Sequence, residues 1–355
     1  MDLEALQSFN QRYDGQYPFL QQLNAEWQQS RPLEGRRVLH NIPLTRETML
    51  KLESLCLAGA DVTVTHLRLP GLEPKQDCVT CLREHGAKIE LDHGKIAGEF
   101  DIALDCCGQI PGMPHVTITE GYVELTQSGM PVYSTLETNL PIYSLDLSKL
   151  KCLEGMFGTG EACVRALKQF LTPDLLDKTF VLFGFGKVGQ GIARYLALEG
   201  ARLIVVETEE DHRRKAAKKG FATLPSEADQ ALLTAINGAF GVITATGQPN
   251  LIEDLFEPEQ IEDRVHLINM GADDEYGEQF PDSRIAGAKA PLNFLLEAPT
   301  TMFFIDPIFA AHNRCCDYVL NGGAHGLSPL PAALDLPVVE AWSKRYDIDV
   351  SDIYD

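Results

Sequence analysis

The segment TFVLFGFGKVGQGIARYLALEGARLIVVE, residues 179–207, constrains this chain more than any other. An apolar run ends in glycines at 184, 186 and 189, apolar residues then recur at helical spacing, and a second apolar run closes on Glu207. This is the order strand, glycine turn, helix, strand, acid. Gly184 permits the tight turn, Gly186 lets the backbone approach a pyrophosphate, and Gly189 lets the helix pack closely on the sheet. The helix N-terminus, with Phe185, Lys187 and Val188 in the loop, then faces the phosphates. Glu207 stands where a carboxylate accepts hydrogen bonds from the adenosine ribose and repels a 2′-phosphate, so the expected cofactor is NAD rather than NADP. Two later strand ends, ITATG (243–247) and INMGADDE (268–275), add Thr244, Ala245, Thr246, Gly247, Asn269, Met270 and Gly271 as cofactor-facing candidates.

Strand–helix alternation extends on both sides of this segment. Upstream, RRVLHNI, DVTVTHLR, AKIEL, FDIALDCCG and HVTITEG read as strands, and TRETMLKLESLCLAGA and KQDCVTCLREHG read as helices. Thr45 is the expected N-cap of the first of these helices and Gly59 its stop. One or two polar helices with Trp27 precede Pro32. Downstream come FATL, GVITATG and VHLINMG, followed from about residue 290 by helical pattern. The expectation is an α/β protein of two doubly wound domains. A substrate-type α/β domain would cover 1–155 and an NAD(P)-binding Rossmann domain 156–310. A helical segment, 311–355, would return to the first domain.

Charge narrows the partners. A formal net charge of −21 over 355 residues argues against non-specific binding to nucleic acid or an anionic membrane. The basic run HRRKAAKKG (212–220) reads as one solvated helix face. No apolar stretch approaches the roughly 20 residues of a membrane span, and the acidic, polar start is unlike a secretory signal. Nine cysteines, with adjacent pairs at 106/107 and 315/316, fit a reducing compartment, so the expected location is the cytoplasm. Cys78 and Cys81 form a C-x-x-C with no second ligand pair nearby, and read as part of a helix; no metal site is expected.

From these residues the chain resembles the S-adenosylhomocysteine hydrolase family. LEGRRVLHNIPLTRETMLKLESLCLAGADVTV is similar to that family's early segment with its Thr-x-Glu-Thr helix. FDIALDCCG resembles its strand into a Gly-Gly loop, and ITEG its Ser-Glu-Glu-Thr segment. FGFGKVGQG and VVETEE resemble its cofactor loop and acid-bearing strand, and NGGAHG (321–326), with Asn321, its Asn-rich turn before a Gly-His. The resemblance spans roughly 33–345. It implies a tightly held NAD that oxidises a ribose hydroxyl, with a base for the adjacent C–H and an acid for the leaving sulfur.

The resemblance also marks departures. Pro43, Cys106 and Ala272 stand where the family has histidine, aspartate and histidine, and Gly121, Tyr122 and Val123 replace its threonines. Its lysine falls near Leu150, with Lys149 and Lys151 adjacent, and its Lys-Tyr tail has no counterpart. Retained candidates are Glu120, His325, Asp105 and Lys149 for catalysis, and Thr45, Glu47 and Cys106 for substrate. His40, Lys151 and Asp274 add to the reworked set, and Asp273, Asp274 and Glu275 could face the nicotinamide. Three readings stay open: an NAD-dependent enzyme acting on a nucleoside-like or hydroxy substrate, a catalytically silent NAD-binding regulatory or scaffold homologue, and an S-adenosylhomocysteine hydrolase with shifted residues. A small-molecule partner and a homo-oligomer are expected.

Overall fold

The computed structural model describes every residue except Pro70, Gly71, Ala324 and Asp355. Its strands, in chain order, are β1 Arg37–Asn41, β2 Asp61–Thr65, β3 Lys88–Ile89, β4 Ala97–Asp105, β5 His115–Glu124 and β6 Pro141–Ser144. Then follow β7 Thr179–Phe183, β8 Arg202–Glu207, β9 Ala222–Pro225, β10 Gly241–Thr244, β11 His266–Asn269, β12 Ile285–Ala286 and β13 Gly326–Pro329. The chain divides into two compact units, one of Met1–Leu153 with Met302–Asp355 and one of Glu154–Thr301. The return to the first unit therefore begins at Met302, not at 311, because the helix Met302–Leu320 packs along its whole length on the first unit.

The first unit holds a parallel sheet in the order β13-β6-β5-β4-β1-β2-β3. The order reverses between β1 and β4, the switch point of a doubly wound sheet. One face carries the apolar cluster of Leu39, Phe100, Ala103, Ile110, Tyr133 and Ile142. Against the other lie the helices Thr48–Leu57 and Met302–Leu320, with Pro18–Ser30 packed on both. Trp27, expected in an N-terminal helix, is fully buried there. The first strand–helix connection departs from expectation: the helix starts at Thr48, and Thr45 instead accepts a hydrogen bond from Thr48 Oγ1 at 2.8 Å through its carbonyl.

Two devices fix the long helix. Asp306 accepts from the backbone N–H groups of Phe19 and Leu20 at 2.8 and 2.9 Å, capping the helix Pro18–Ser30 from another element. Pro307 cannot donate to the carbonyl four residues back. That carbonyl, Phe303 O, instead accepts from Trp342 Nε1 at 2.8 Å.

The second unit has the sheet order β12-β11-β10-β7-β8-β9, all parallel. Numbered within the unit this is 6-5-4-1-2-3, the Rossmann order, with the switch point between β7 and β10. The helix Thr159–Phe170 lies against the helix Lys187–Leu198 with no room for side chains: a Cβ on Gly191 would stand 1.8 Å from Met156 O, and one on Gly160 2.4 Å from Gly191 C.

Candidate functional site

At the carboxyl ends of the second sheet the glycine loop takes the predicted form. Gly184 has φ +91°, and a Cβ there would stand 2.6 Å from Ala245 O. A Cβ on Gly189 would stand 2.1 Å from Gly184 O. Gly186 differs: it is the N-cap of the helix Lys187–Leu198, and no heavy atom lies within 4 Å of a Cβ built on it. Two glycines are thus required by the protein's own packing, while Gly186 keeps an open approach to the helix N-terminus, as a phosphate cradle requires.

Glu207, at the end of β8, lies across this opening. Its Oε2 accepts from Phe185 N and its Oε1 from Thr208 N, both at 2.8 Å, with His212 Nδ1 3.5 Å from Oε2. Burial pushes its carboxyl up, but the surrounding N–H groups more than offset that and hold it below the usual carboxylate range. Gly184, Gly186, Glu207, Thr208, Thr246 and Gln248 share one cleft. These residues fit a dinucleotide.

The two later strand ends are held by side chains turned inward. Glu275 is fully buried and accepts from Thr246 N, Thr246 Oγ1 and Gly247 N, tying the end of β10 to the turn after β11. Asn269 is also fully buried. Its Nδ2 donates to Asp273 O and Lys289 O, and its Oδ1 accepts from Thr244 Oγ1 and Gly271 N. Asn269 and Glu275 thus shape the loop, which corrects the expectation that they reach the nicotinamide. Met270 packs in the core, Ala272 and Asp273 are exposed, and Asp274 pairs with Lys289 at 2.9 Å. Asn321 lies in the first unit, where its Nδ2 donates to Asp317 O.

In the first unit the structure assembles a row that the sequence reading missed. The register sets Thr65, Asn41, Asp105, Glu124 and Ser144 side by side, each the last residue of its strand. All five are fully buried. Asp105 accepts from Asn41 Nδ2 and Cys106 N on Oδ1, and from Tyr133 OH and Ile110 N on Oδ2, at 2.7–2.9 Å. Glu124 accepts from Cys107 N, Gly108 N, Thr126 N and Thr126 Oγ1. Burial, and for Asp105 the nearby Glu124 charge, raise both carboxyls above the usual range. Asn41 Oδ1 and Thr65 Oγ1 are buried acceptors with no protein partner.

Behind the row, on the other sheet face, His40 is fully buried with neither ring nitrogen bonded. Lys51 is fully buried nearby, 2.9 Å from His312 Nδ1, and His312 Nε2 bonds Val123 O. Burial pushes the Lys51 ammonium down to about 7.

The other predicted residues do not join this group. Glu120 sits level with the start of β1 and pairs with Arg36 at 3.5 Å, at the amino end of the sheet. His325 precedes β13 and bonds Asn139 O, at that same end. Lys149 is exposed and donates to Ile353 O. Glu47 accepts from Tyr13 OH at 2.6 Å, away from the row. Of the predicted set, Asp105 belongs to the row and Cys106 follows it directly; the hydrogen bond to Cys107 and burial push the Cys106 thiol well up, which Lys151 offsets only in part. The acid at the strand end is Glu124, four positions beyond Glu120, because β5 runs on to residue 124. Cys78 and Cys81 lie on the helix Gln76–Glu84 as free thiols, and no group of three metal-ligating side chains occurs among the described residues.

Residues 171–280 match the family described as "Putative NAD(P)-binding". The chain is 27% identical to the S-inosyl-L-homocysteine hydrolase of Methanopyrus kandleri, over 76% of this chain and 68% of that protein. It is 25% identical to the adenosylhomocysteinase of Sulfurisphaera tokodaii, over 66% of this chain and 60% of that protein. The chain is thus similar to adenosylhomocysteinases and diverges from them in sequence. It spans about two thirds of the length of the curated relatives it matches. The dipicolinate synthase A chain of Bacillus subtilis shares its fold, with a TM-score of 0.51 at 12% identity over 81% of this chain and 98% of that one. The second unit of this chain is accordingly an NAD(P)-binding Rossmann domain. No helix among the described residues is long and apolar enough to cross a membrane.

Proposed function

We propose that the chain is an NAD-dependent enzyme whose first unit takes a nucleoside-like, hydroxyl-bearing small molecule at the carboxyl ends of β1, β2 and β4. The observation that carries this reading is the pair of buried acceptors, Asn41 Oδ1 and Thr65 Oγ1, at adjacent strand ends beside the switch point. A buried acceptor without a donor costs about 1–3 kcal/mol. Hydroxyl or amino groups of a ligand would relieve that cost at the place where doubly wound sheets bind ligands. What supports NAD over NADP is that Glu207, held below the usual carboxylate range, lines the cleft and would repel a 2′-phosphate.

NAD, when bound, supplies a hydride acceptor; the chain's own residues do the rest. Gly186 and the helix N-terminus would hold its phosphates, and Glu207 would hold its ribose. In the first unit Asp105 fixes the Asn41 amide so that Oδ1 is left to accept from substrate. One observation favours a second reading, a catalytically silent NAD-binding homologue: Asp105 and Glu124 each already receive four protein hydrogen bonds.

The test is direct. One sample of purified chain is denatured and any released nucleotide identified, and a native sample is titrated with NAD and NADP. The NAD-loaded chain is incubated with S-adenosylhomocysteine and with S-inosylhomocysteine while free thiol is followed. NAD binding with enzyme-like thiol release supports hydrolysis. NAD reduction on adding a nucleoside, without thiol release, supports an altered substrate. NAD binding with neither leaves the silent reading, and no binding of either dinucleotide refutes both.

A further inference from the structure

A second chemistry lies beside the strand-end row. Along a strand, successive side chains point to opposite faces. Directly after β4 the chain breaks that rule at Cys106 and Cys107, whose sulfurs stand 3.8 Å apart. The cause is Cys107, which has a left-handed φ of +64° and is followed by Gly108 at φ +63°. A non-glycine residue there carries backbone strain that the surroundings must hold in place. They do: Cys106 N is bonded to Asp105 Oδ1, and Cys107 N and Gly108 N to the Glu124 carboxylate.

The two thiols differ. Cys106 is buried, whereas Cys107 is half-buried beside the exposed Ser128, whose Oγ lies 3.0 Å from its sulfur. Two other half-exposed thiols, Cys56 and Cys81, serve as comparisons. Burial pushes Cys56 up to about 11 and raises Cys81. Cys107 goes the other way, down to about 6: Cys106 S–H stabilises its thiolate by more than burial opposes it, and Ser128 Oγ–H and Thr126 Oγ–H add to this against the Glu124 charge.

We propose that Cys106 and Cys107 form a two-thiol oxidation site, with Cys107 attacking and Cys106 resolving, that takes hydroperoxides as its substrate class. The Cys107 thiolate attacks one peroxide oxygen and the O–O bond breaks. Cys107 takes the terminal oxygen as a sulfenic acid, and the other oxygen leaves as alkoxide, or as hydroxide when the substrate is hydrogen peroxide. The Cys106 thiol then attacks the Cys107 sulfur, the S–O bond breaks, and water departs with the thiol proton. The peroxide is reduced by two electrons and the pair is oxidised by two, closing a disulfide between adjacent residues. Adjacent Cα atoms are 3.8 Å apart, below the usual disulfide range of about 4.4–6.8 Å. The ring is therefore strained and readily reopened by a dithiol. Closing it turns the peptide whose N–H binds Glu124, so oxidation is felt in the strand-end row.

The measurements read thiols and not catalysis, so they stand apart from the proposed function. The full chain is treated with limiting iodoacetamide from pH 5 to 9, and separately with hydrogen peroxide, before peptide mass spectrometry. At pH 7 Cys107 is about nine-tenths thiolate and Cys56 about one part in ten thousand. After the lower nucleophilicity of the more acidic thiol is allowed for, Cys107 should react roughly 50-fold faster, with its rate half-maximal near pH 6. Peroxide should yield a peptide two mass units lighter spanning 106 and 107, restored by dithiothreitol. Cys106→Ser should trap Cys107 as a dimedone adduct with no lighter peptide. Because Cys106 is buried, the surface change Ser128→Ala provides a second check: it should move the alkylation midpoint upward. Equal alkylation of Cys107, Cys56 and Cys81, an unmoved midpoint in Ser128→Ala, or peroxide-dependent pairing elsewhere would each overturn the proposal.

Discussion

Gly186 and Gly189 lie three residues apart in one loop, and alanine at each should give opposite results. At Gly189 the new Cβ would stand 2.1 Å from Gly184 O and 2.8 Å from Gly184 C, both backbone atoms. A carbon needs about 3.5 Å from such atoms, so the helix must retreat by roughly 1 Å or more. Overpacking of this kind costs about 1–3 kcal/mol, toward the top of the range because backbone cannot rotate away. Alanine returns up to about 1 kcal/mol of helix propensity. The net is about 2 kcal/mol, or a fall of roughly 4–8 °C in Tm for a unit of this size. At Gly186 the new Cβ meets nothing within 4 Å and the backbone, at φ −71°, accepts any residue. Stability should stay within about 0.5 kcal/mol of the parent. The added methyl instead enters the approach to the helix N-terminus, and NAD affinity should fall at least about tenfold, equivalent to about 1.4 kcal/mol. Thermal unfolding without ligand and calorimetric titration with NAD separate the two. Unchanged NAD affinity in Gly186→Ala refutes the cradle, and an unchanged Tm in Gly189→Ala refutes the close-packing argument.

Three further outcomes follow from buried groups. Burial pushes the Asp306 carboxyl up to about 7 despite its two backbone donors, so the folded state binds its proton more tightly than the unfolded one. Its contribution is full below about pH 4 and is lost as pH rises through 7; Asp306→Asn should therefore gain on the parent by on the order of 1 kcal/mol per pH unit between 5 and 7 in urea unfolding. For Lys51 the sign reverses, since the folded state releases its proton near 7 while the unfolded chain holds it to about 10.4. Lys51→Met should stabilise the chain most near pH 7, with the gain shrinking toward pH 10 in the same assay; a gain independent of pH rejects a neutral lysine. Trp342→Phe leaves Phe303 O without its donor beside Pro307, and should lower stability by about 1 kcal/mol in thermal unfolding.

The cofactor half of the molecule was legible because its information is local. Gly184, Gly186, Gly189 and Glu207 lie within one strand–helix–strand unit, and each glycine answers a steric demand that a single sequence displays. The doubly wound alternation was legible for the same reason. The strands β6, β12 and β13 went unread: β6 and β13 each carry a proline, which counts against a strand, and β12 has only two residues.

The substrate half failed at one identifiable step. HVTITEG reads as a complete strand, and Glu120 is a candidate because ITEG resembles the family's Ser-Glu-Glu-Thr segment. β5 in fact continues through Gly121, Tyr122 and Val123 to Glu124. The extra length pairs Glu124 with Asp105 after a register shift between Phe100 and Ile102. Four residues along a strand move a side chain about 13 Å, from one edge of the sheet to the other. Glu120, the catalytic candidate carried by the resemblance, thus lies at the amino ends of the strands beside Arg36.

The strand-end row also shows why a motif could not reveal it. Thr65, Asn41, Asp105, Glu124 and Ser144 come from five separate strands, and their only common property is terminal position in a parallel sheet. Parallel register converts that property into contact, because each strand begins at the same edge and ends at the other. Polar residues in the middle of these strands would face apolar layers without partners. At the carboxyl ends they meet the N–H groups of the turns, as Asp105 meets Ile110 N and Glu124 meets Gly108 N. The two carboxylates therefore serve first to fold the turns over the sheet edge. What such an arrangement leaves for a ligand is the unbonded remainder, Asn41 Oδ1 and Thr65 Oγ1. Substitution of Asp105 or Glu124 would accordingly disturb the turns together with any chemistry, whereas Thr65→Val removes an acceptor that holds nothing in the protein.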